Sequence, residues 1–208
     1  MAYLVLVRHG ESVWNALGQW TGWTDVDLSE KGHSEAKEAG NLLKDIHFDF
    51  AYTSALKRAQ QTFEEIKQVL GQPDLTPTAD KALDERDYGD YTGKNKWQVK
   101  EQVGEEEFQK LRRSWDYPPP NGESLEMVYD RAVPYYEREI LPKLKEGKNV
   151  IIAAHGNSLR ALSKYLQNIP DDKIALLEMP TGQPFVYQVD TEGKVTSTEV
   201  RGQKENTA

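Results

Sequence analysis

The sequence predicts an α/β fold: a three-layer αβα sandwich on a mostly parallel sheet of about six strands, with an antiparallel strand at its edge. Three observations predict it. Residues 4–7 (Leu-Val-Leu-Val) and 150–154 (Val-Ile-Ile-Ala-Ala) are continuous apolar runs too short for helices, as expected of strands buried on both faces. In the first seventy residues such runs alternate with amphipathic helical patterns, the order of a parallel sheet covered on two sides. Near the C-terminus, residues 185–189 and 195–200 flank Asp190-Thr191-Glu192-Gly193, a closing hairpin that supplies the antiparallel edge.

The first strand stops at Arg8-His9-Gly10. In open α/β sheets ligands bind at the carboxyl ends of strands, and Gly10 lets the backbone turn and approach a substrate closely. Residues 11–28 follow as a long loop without period, of the kind that carries function. Its tryptophans 14, 20 and 23 read as packing residues that stiffen it. Ser29 reads as the N-cap of a helix with Ala36, Ala39, Leu42 and Leu43 at helical spacing. Residues 48–52 form the next strand, and Ser54 caps a helix through Ala59, Phe63, Ile66 and Leu70, closed by Gly71 and Pro73.

From 74 to 120 the alternation lapses into a strand near 78–83 and short helices near 97–103 and 105–115, an excursion that caps the site. The stiff loop Pro118-Pro119-Pro120-Asn121-Gly122 leads into a long helix through Met127, Val128, Ala132, Tyr135 and Ile140, which Pro134 and Pro142 should bend or end. A strand at 149–154, a helix at 158–166, a short helix near 171–178 and the hairpin complete one domain, residues 1–201. The polar, patternless residues 202–208 read as a disordered tail.

Composition narrows the function classes. With 38% hydrophobic and 29% charged residues the chain reads as a globular protein, and no apolar run approaches the ~20 residues that span a bilayer. The first strand begins at once, leaving no room for a signal segment, and there is no cysteine for a disulfide framework, so a cytoplasmic location is expected. A net charge of −8 argues against a nucleic-acid surface and would repel an anionic substrate at long range. Any anion site must therefore be made by locally placed cations.

The four histidines, His9, His33, His47 and His155, show no metal-type spacing, and no Gly-x-x-x-x-Gly-Lys-Ser/Thr loop is present. Gly156-Asn157-Ser158-Leu159-Arg160 lacks the final glycine of a nucleophile elbow. Taken alone, His9 reads first as a hydrogen-bonded core histidine. It is not alone: the strand at 150–154 ends in His155-Gly156-Asn157-Ser158, and a sheet would bring the two His-Gly corners side by side.

These pieces, Leu4-Val5-Leu6-Val7-Arg8-His9-Gly10-Glu11-Ser12, Thr53-Ser54-Ala55-Leu56-Lys57-Arg58-Ala59 and Ala154-His155-Gly156-Asn157-Ser158, resemble the histidine phosphatase superfamily. Trp14-Asn15, Trp20-Thr21-Gly22-Trp23, Leu28-Ser29-Glu30-Lys31-Gly32, Glu85-Arg86-Asp87-Tyr88-Gly89, Asn95-Lys96, Arg112-Arg113-Ser114, Pro119-Pro120 and Gly122-Glu123-Ser124 bring the resemblance closer to its 2,3-bisphosphoglycerate-dependent phosphoglycerate mutases. It runs in order from residue 4 to about 189. Only Asn121 separates Pro120 from Gly122, where longer members carry an insertion; the basic C-terminal tail is curtailed, and Asp87 stands where an aromatic residue or histidine is more usual.

The resemblance implies a phosphoryl-transfer enzyme of glycolysis and gluconeogenesis that interconverts 3-phosphoglycerate and 2-phosphoglycerate. 2,3-Bisphosphoglycerate is the implied cofactor and no metal is expected; a phosphatase of small phosphate esters and a silent binding module are the alternatives. The implied catalytic residues are His9 as nucleophile, Glu85 as general acid and base, and Arg8, Arg58 and His155 around the phosphoryl oxygens. Guanidinium forks suit that task because they match phosphate geometry and stay charged. Asn15, Thr21, Gly22, Tyr88, Lys96, Arg112, Arg113, Gly156 and Asn157 are the implied substrate-binding residues. Partners are expected to be small phosphoglycerates, with no nucleic acid and no membrane, in a monomer or small homo-oligomer.

Overall fold

The computed structural model describes residues 1–202, so residues 203–208 of the expected tail lie outside the described residues. One sheet of six strands runs through it: β1 (Ala2–Arg8), β2 (Phe50–Thr53), β3 (Pro77–Ala79), β4 (Val150–Ala154), β5 (Pro184–Val189) and β6 (Val195–Val200). Their spatial order is β3-β2-β4-β1-β5-β6. β1 to β4 are mutually parallel where they pair, β5 runs against β1, and β6 runs against β5. The reversed strand is thus β5, one place in from the edge that β6 forms.

The continuous apolar runs are buried because each face of the sheet is covered. Val5, Val7, Ile151 and Ala153 point to the layer of α2 (Glu30–Leu42) and α3 (Lys57–Leu70), meeting Ala39, Leu43, Phe63 and Ile66. Leu4, Leu6, Val150 and Ile152 point the other way, onto α6 (Leu125–Tyr135), α7 (Leu141–Lys145) and α8 (Gly156–Gln167). β1 and β4 are therefore neighbours whose following helices lie on opposite faces, the arrangement that opens a crevice beyond the strand ends. In register, Arg8 pairs with Ala154, and the His9 amide donates to the Ala154 carbonyl at 2.9 Å.

Local chemistry sets the ends. A short helix, α1 (Val13–Ala16), starts the long loop, with Ser12 and Asn15 closing a reciprocal cap. Ser29 caps α2 by accepting from the Gly32 amide. Ser54 does not cap α3 as the sequence suggests: the helix starts three residues later behind Leu56, and the Ser54 hydroxyl turns to His155 instead. α3 closes at Gly71 in the left-handed conformation. The excursion holds α4 (Lys96–Val103) and α5 (Glu105–Arg113), and Trp20, Val99, Phe108 and Leu111 form a core of their own beneath them. After Pro134 the long helix widens into a π turn at Tyr136–Ile140 before α7 resumes. Arg201 is pinned to the Asp45 carboxylate and the Leu42 carbonyl. No helix among the described residues is long and apolar enough to cross a membrane.

Candidate active site

β1 and β4 deliver His9 and His155 side by side, with ring centroids 5.0 Å apart. His9 Nδ1 lies 2.7 Å from the Gly10 carbonyl, which can only accept, so Nδ1 carries the proton and Nε2 keeps its lone pair. Nε2 has no hydrogen-bond partner among the described residues, and His9 lines a small polar cavity of about 40 Å³. Burial and the charges of Arg58 and Arg8 hold the ring well below the usual histidine range, so it is neutral at physiological pH. A neutral imidazole with one free nitrogen in a cavity is a nucleophile.

The same cavity is lined by Arg8, Asn15, Trp20, Thr21, Gly22, Arg58, Glu85, Tyr88 and Lys96. Arg58, fully buried, is held by the carbonyls of Thr24 (3.0 Å) and Gly22 (2.8 Å), and Arg8 by that of Met179 (2.8 Å). Three buried polar atoms of this lining have no hydrogen-bond partner among the described residues: Arg8 Nε, Arg58 Nε and Thr21 Oγ1. Buried donors left without acceptors are costly unless a ligand supplies them. An anion is the ligand that satisfies such a set. His155 sits behind His9 and does not line the cavity; burial, Arg58 and His9 keep it well below the usual histidine range.

Glu85 faces His9 across this cavity. Its Oε1 accepts from the Arg86 amide (2.9 Å), the Asn157 amide (3.1 Å) and Asn157 Nδ2 (3.0 Å), whereas Oε2 accepts from no group among the described residues. Burial pushes the carboxyl up, but the Arg86 amide, Arg8, Arg58 and Asn157 outweigh it and hold Glu85 below the ordinary carboxylate range. A raised value, which general-acid work would favour, is thus absent without an added negative charge beside it. The amide of Asn157 reaches Glu85 because it opens the first turn of α8, whose N-terminus favours an anion.

A second cavity of about 130 Å³ continues from the first past Glu85, Tyr88 and Lys96 to Arg112, Arg113, Gly156, Asn157 and Arg160. It opens through Arg112, Arg113 and Glu178 into a vestibule of about 680 Å³ between α5 and the Ile174–Leu176 turn. Burial, Arg8 and Arg112 bring Lys96 down to about 8. Arg113 is paired with Glu178 at 2.8 Å, and Arg112 stacks on Phe108 at 5.4 Å. Every site residue expected from the sequence is therefore brought to these two joined cavities except His155, which supports them from behind. Among the described residues no group of three metal-type side chains converges.

Sequence reasoning missed several supporting residues. Ser54 Oγ lies 2.7 Å from His155 Nε2. Exposed Trp23, read as packing, anchors the Glu85 carbonyl through its indole N–H at 2.7 Å. Arg131 donates to the carbonyls of Ala82, Asp84 and Glu85 while paired with Glu123, so it fixes the segment that carries Glu85. Arg86, fully buried, holds the Leu111 carbonyl near the end of α5. Arg160 donates to Asn157 Oδ1 at 2.8 Å. Ser54, Trp23 and Arg86 lie within the quoted motifs and Arg160 stands three residues after Asn157 on one helix, whereas Arg131 had no signal.

A family model described as histidine phosphatase superfamily (branch 1) matches residues 4–199. A 2,3-bisphosphoglycerate-dependent phosphoglycerate mutase from Parvibaculum lavamentivorans is 48% identical, with 97% of each chain covered. The protein of that name from Mesorhizobium japonicum is 49% identical, covering 95% of this chain and 97% of its own. Among solved structures, a mycobacterial glucosyl-3-phosphoglycerate phosphatase superposes with a TM-score of 0.83 over 97% of this chain and 98% of its own. At 23% identity it shows a shared fold and no more.

Proposed function

This chain belongs to branch 1 of the histidine phosphatase superfamily, and from that premise we propose that it is a 2,3-bisphosphoglycerate-dependent phosphoglycerate mutase, interconverting 3-phosphoglycerate and 2-phosphoglycerate in the cytoplasm during glycolysis and gluconeogenesis. The observation that carries the chemistry is a neutral His9 whose free Nε2 faces Glu85 across a cavity rimmed by unpartnered donors of Arg8, Arg58 and Thr21.

His9 Nε2 takes the phosphoryl group. Arg8, Arg58, Thr21, Asn15 and Gly22 hold its oxygens, with the His155 Nδ1 face behind them. The Asn15 side-chain oxygen is already used on the Ser12 amide, which leaves its NH₂ for this purpose. Tyr88, Lys96, Arg112, Arg113, Gly156 and Asn157 hold the remainder of the phosphoglycerate, and Lys96 and the two arginines supply the local positive field that the net charge of −8 denies at long range. The same cation set fits 2,3-bisphosphoglycerate, which supplies, when bound, the phosphoryl group that primes His9.

Glu85 moves the proton. Ionised in the free protein, its Oε2 takes the proton from the hydroxyl that attacks phosphorylated His9. It returns that proton to the oxygen that departs when His9 is phosphorylated again. A narrow, cation-lined chamber suits a shuttle that passes one proton and one phosphoryl group between His9 and substrate. The test is conversion of 3-phosphoglycerate with and without 2,3-bisphosphoglycerate, with inorganic phosphate measured alongside. Isomerisation stimulated by the bisphosphate and outrunning phosphate release is expected. Phosphate release that matches or exceeds isomerisation would make the chain a phosphatase.

A further inference from the structure

We propose that Arg160 is a positioning residue for proton transfer at Glu85: it locks the Asn157 amide with its NH₂ edge toward Glu85 Oε1, leaving Oε2 as the one oxygen that can give or take the proton. The inference rests on the acid and base role of Glu85 proposed above.

An asparagine amide has two nearly isosteric ends, and only its partners decide which way it faces. Asn157 has three: Arg160 Nη1 at 2.8 Å from one end, and Glu85 Oε1 and the Tyr88 hydroxyl, each at 3.0 Å, from the other. A hydroxyl accepts either end and a carboxyl oxygen accepts the NH₂ end or, once protonated, donates to the other. Arginine can only donate. Arg160 alone therefore imposes a single orientation in both protonation states of Glu85. Its own position is fixed, since it is 93% buried and its Nε donates to the Leu177 carbonyl at 3.0 Å.

Were the amide free to flip, Asn157 Oδ1 would face Glu85 Oε1. A protonated carboxyl would then be stabilised with its proton on Oε1, an oxygen enclosed by the Arg86 and Asn157 backbone amides and turned from the reacting groups. The proton would be held tighter and on the wrong atom. Other charges face Glu85 too: Arg8 from β1, Arg58 from α3, Lys96 from α4, and Arg160 itself from α8; Tyr88 and His9 share its cavity. Loss of Arg160 thus acts in two ways, through the amide and through its charge, and a double-mutant cycle separates them.

The experiment is a titration of the Glu85 carboxyl by ¹³C NMR in the ligand-free protein, for Arg160→Met in the native and Asn157→Ala backgrounds. Arg160→Met is expected to raise the Glu85 midpoint by about one pH unit, and the rise should be smaller when Asn157 is alanine, where only the lost charge remains. An unchanged midpoint, or a rise of equal size in both backgrounds, overturns the proposal. Should Arg160→Met fail to fold, Arg160→Gln decides: its amide can donate or accept and so releases Asn157, and a Glu85 midpoint unchanged in that variant overturns the lock. These readouts are blind to which phosphate ester turns over, so the proposed reaction stands or falls separately in the isomerisation assay.

Discussion

At the scale of single residues, function hangs on which atoms are left free. The Gly10 carbonyl takes His9 Nδ1, and three donors take Glu85 Oε1, so nucleophile and proton carrier each face the cavity with one atom. His9→Ala should abolish labelling of the enzyme by phosphate along with turnover, and residual labelling would move the nucleophile elsewhere. Glu85→Gln should slow transfer from a phosphoglycerate by roughly 10²- to 10⁴-fold, the usual loss for a positioned acid. A nitrophenyl phosphate, whose phenolate needs no proton, should still give a burst of product followed by slow turnover. Equal slowing of both bursts would leave Glu85 a structural role only. Lys96 adds a pH dependence. Its free-protein value of about 8 means that it is charged below that pH and neutral above it. KM for phosphoglycerate should therefore rise as pH passes 8, and Lys96→Arg, which stays charged, should flatten that rise.

At the scale of elements, two contacts decide whether the free atoms meet. The loop after β1 crosses the start of α2 so closely that a Cβ on Gly10 would lie 2.1 Å from the Gly32 carbonyl oxygen, and one on Gly32 would lie 2.1 Å from that of Glu11. Neither backbone can yield without moving His9. Gly32→Ala should cost about 1–3 kcal/mol by overpacking, read as a lower denaturation midpoint, and should depress the phosphorylation rate in the folded fraction. The second contact is that of Arg86 with the Leu111 carbonyl, which ties the end of α5 to the residue following Glu85. α5 carries acids in its first turn and Lys110, Arg112 and Arg113 in its last, so its dipole favours the cations where the vestibule needs them. Removing Arg112 or Arg113 should harm isomerisation more than hydrolysis of an aryl phosphate, because these groups line the second cavity, away from His9, and hold substrate. An equal fall in both activities would argue against that division.

At the scale of the whole molecule, the buried site is linked to stability. His9 and His155 are held neutral in the fold but protonate near pH 6.5 when unfolded, so the unfolded chain binds more protons on acidification. Stability from these two groups is complete above pH 6.5 and falls below it, by about 2 kcal/mol for the pair between pH 6.5 and 5.5. Asp84, which burial pushes up, offsets part of this at lower pH. Denaturant titrations of the native protein and of a His155→Gln variant should show the variant losing less over that interval. The sequence by itself determined the sheet, because unbroken apolar runs such as residues 150–154 tolerate only burial on two faces, and it determined the reactive pair, because His-Gly corners ended two of those runs. The same local logic failed at Ser54, where a hydroxyl fit to cap a helix found a better partner in His155, a hundred residues away in the chain. Only the tertiary structure decided which oxygen of Glu85 stays free, that Trp23 holds a carbonyl rather than packing, and that Arg160 fixes Asn157. Those outcomes depend on distances between groups on separate elements, and local propensity carries no term for a hydrogen bond whose partner the chain has yet to bring near.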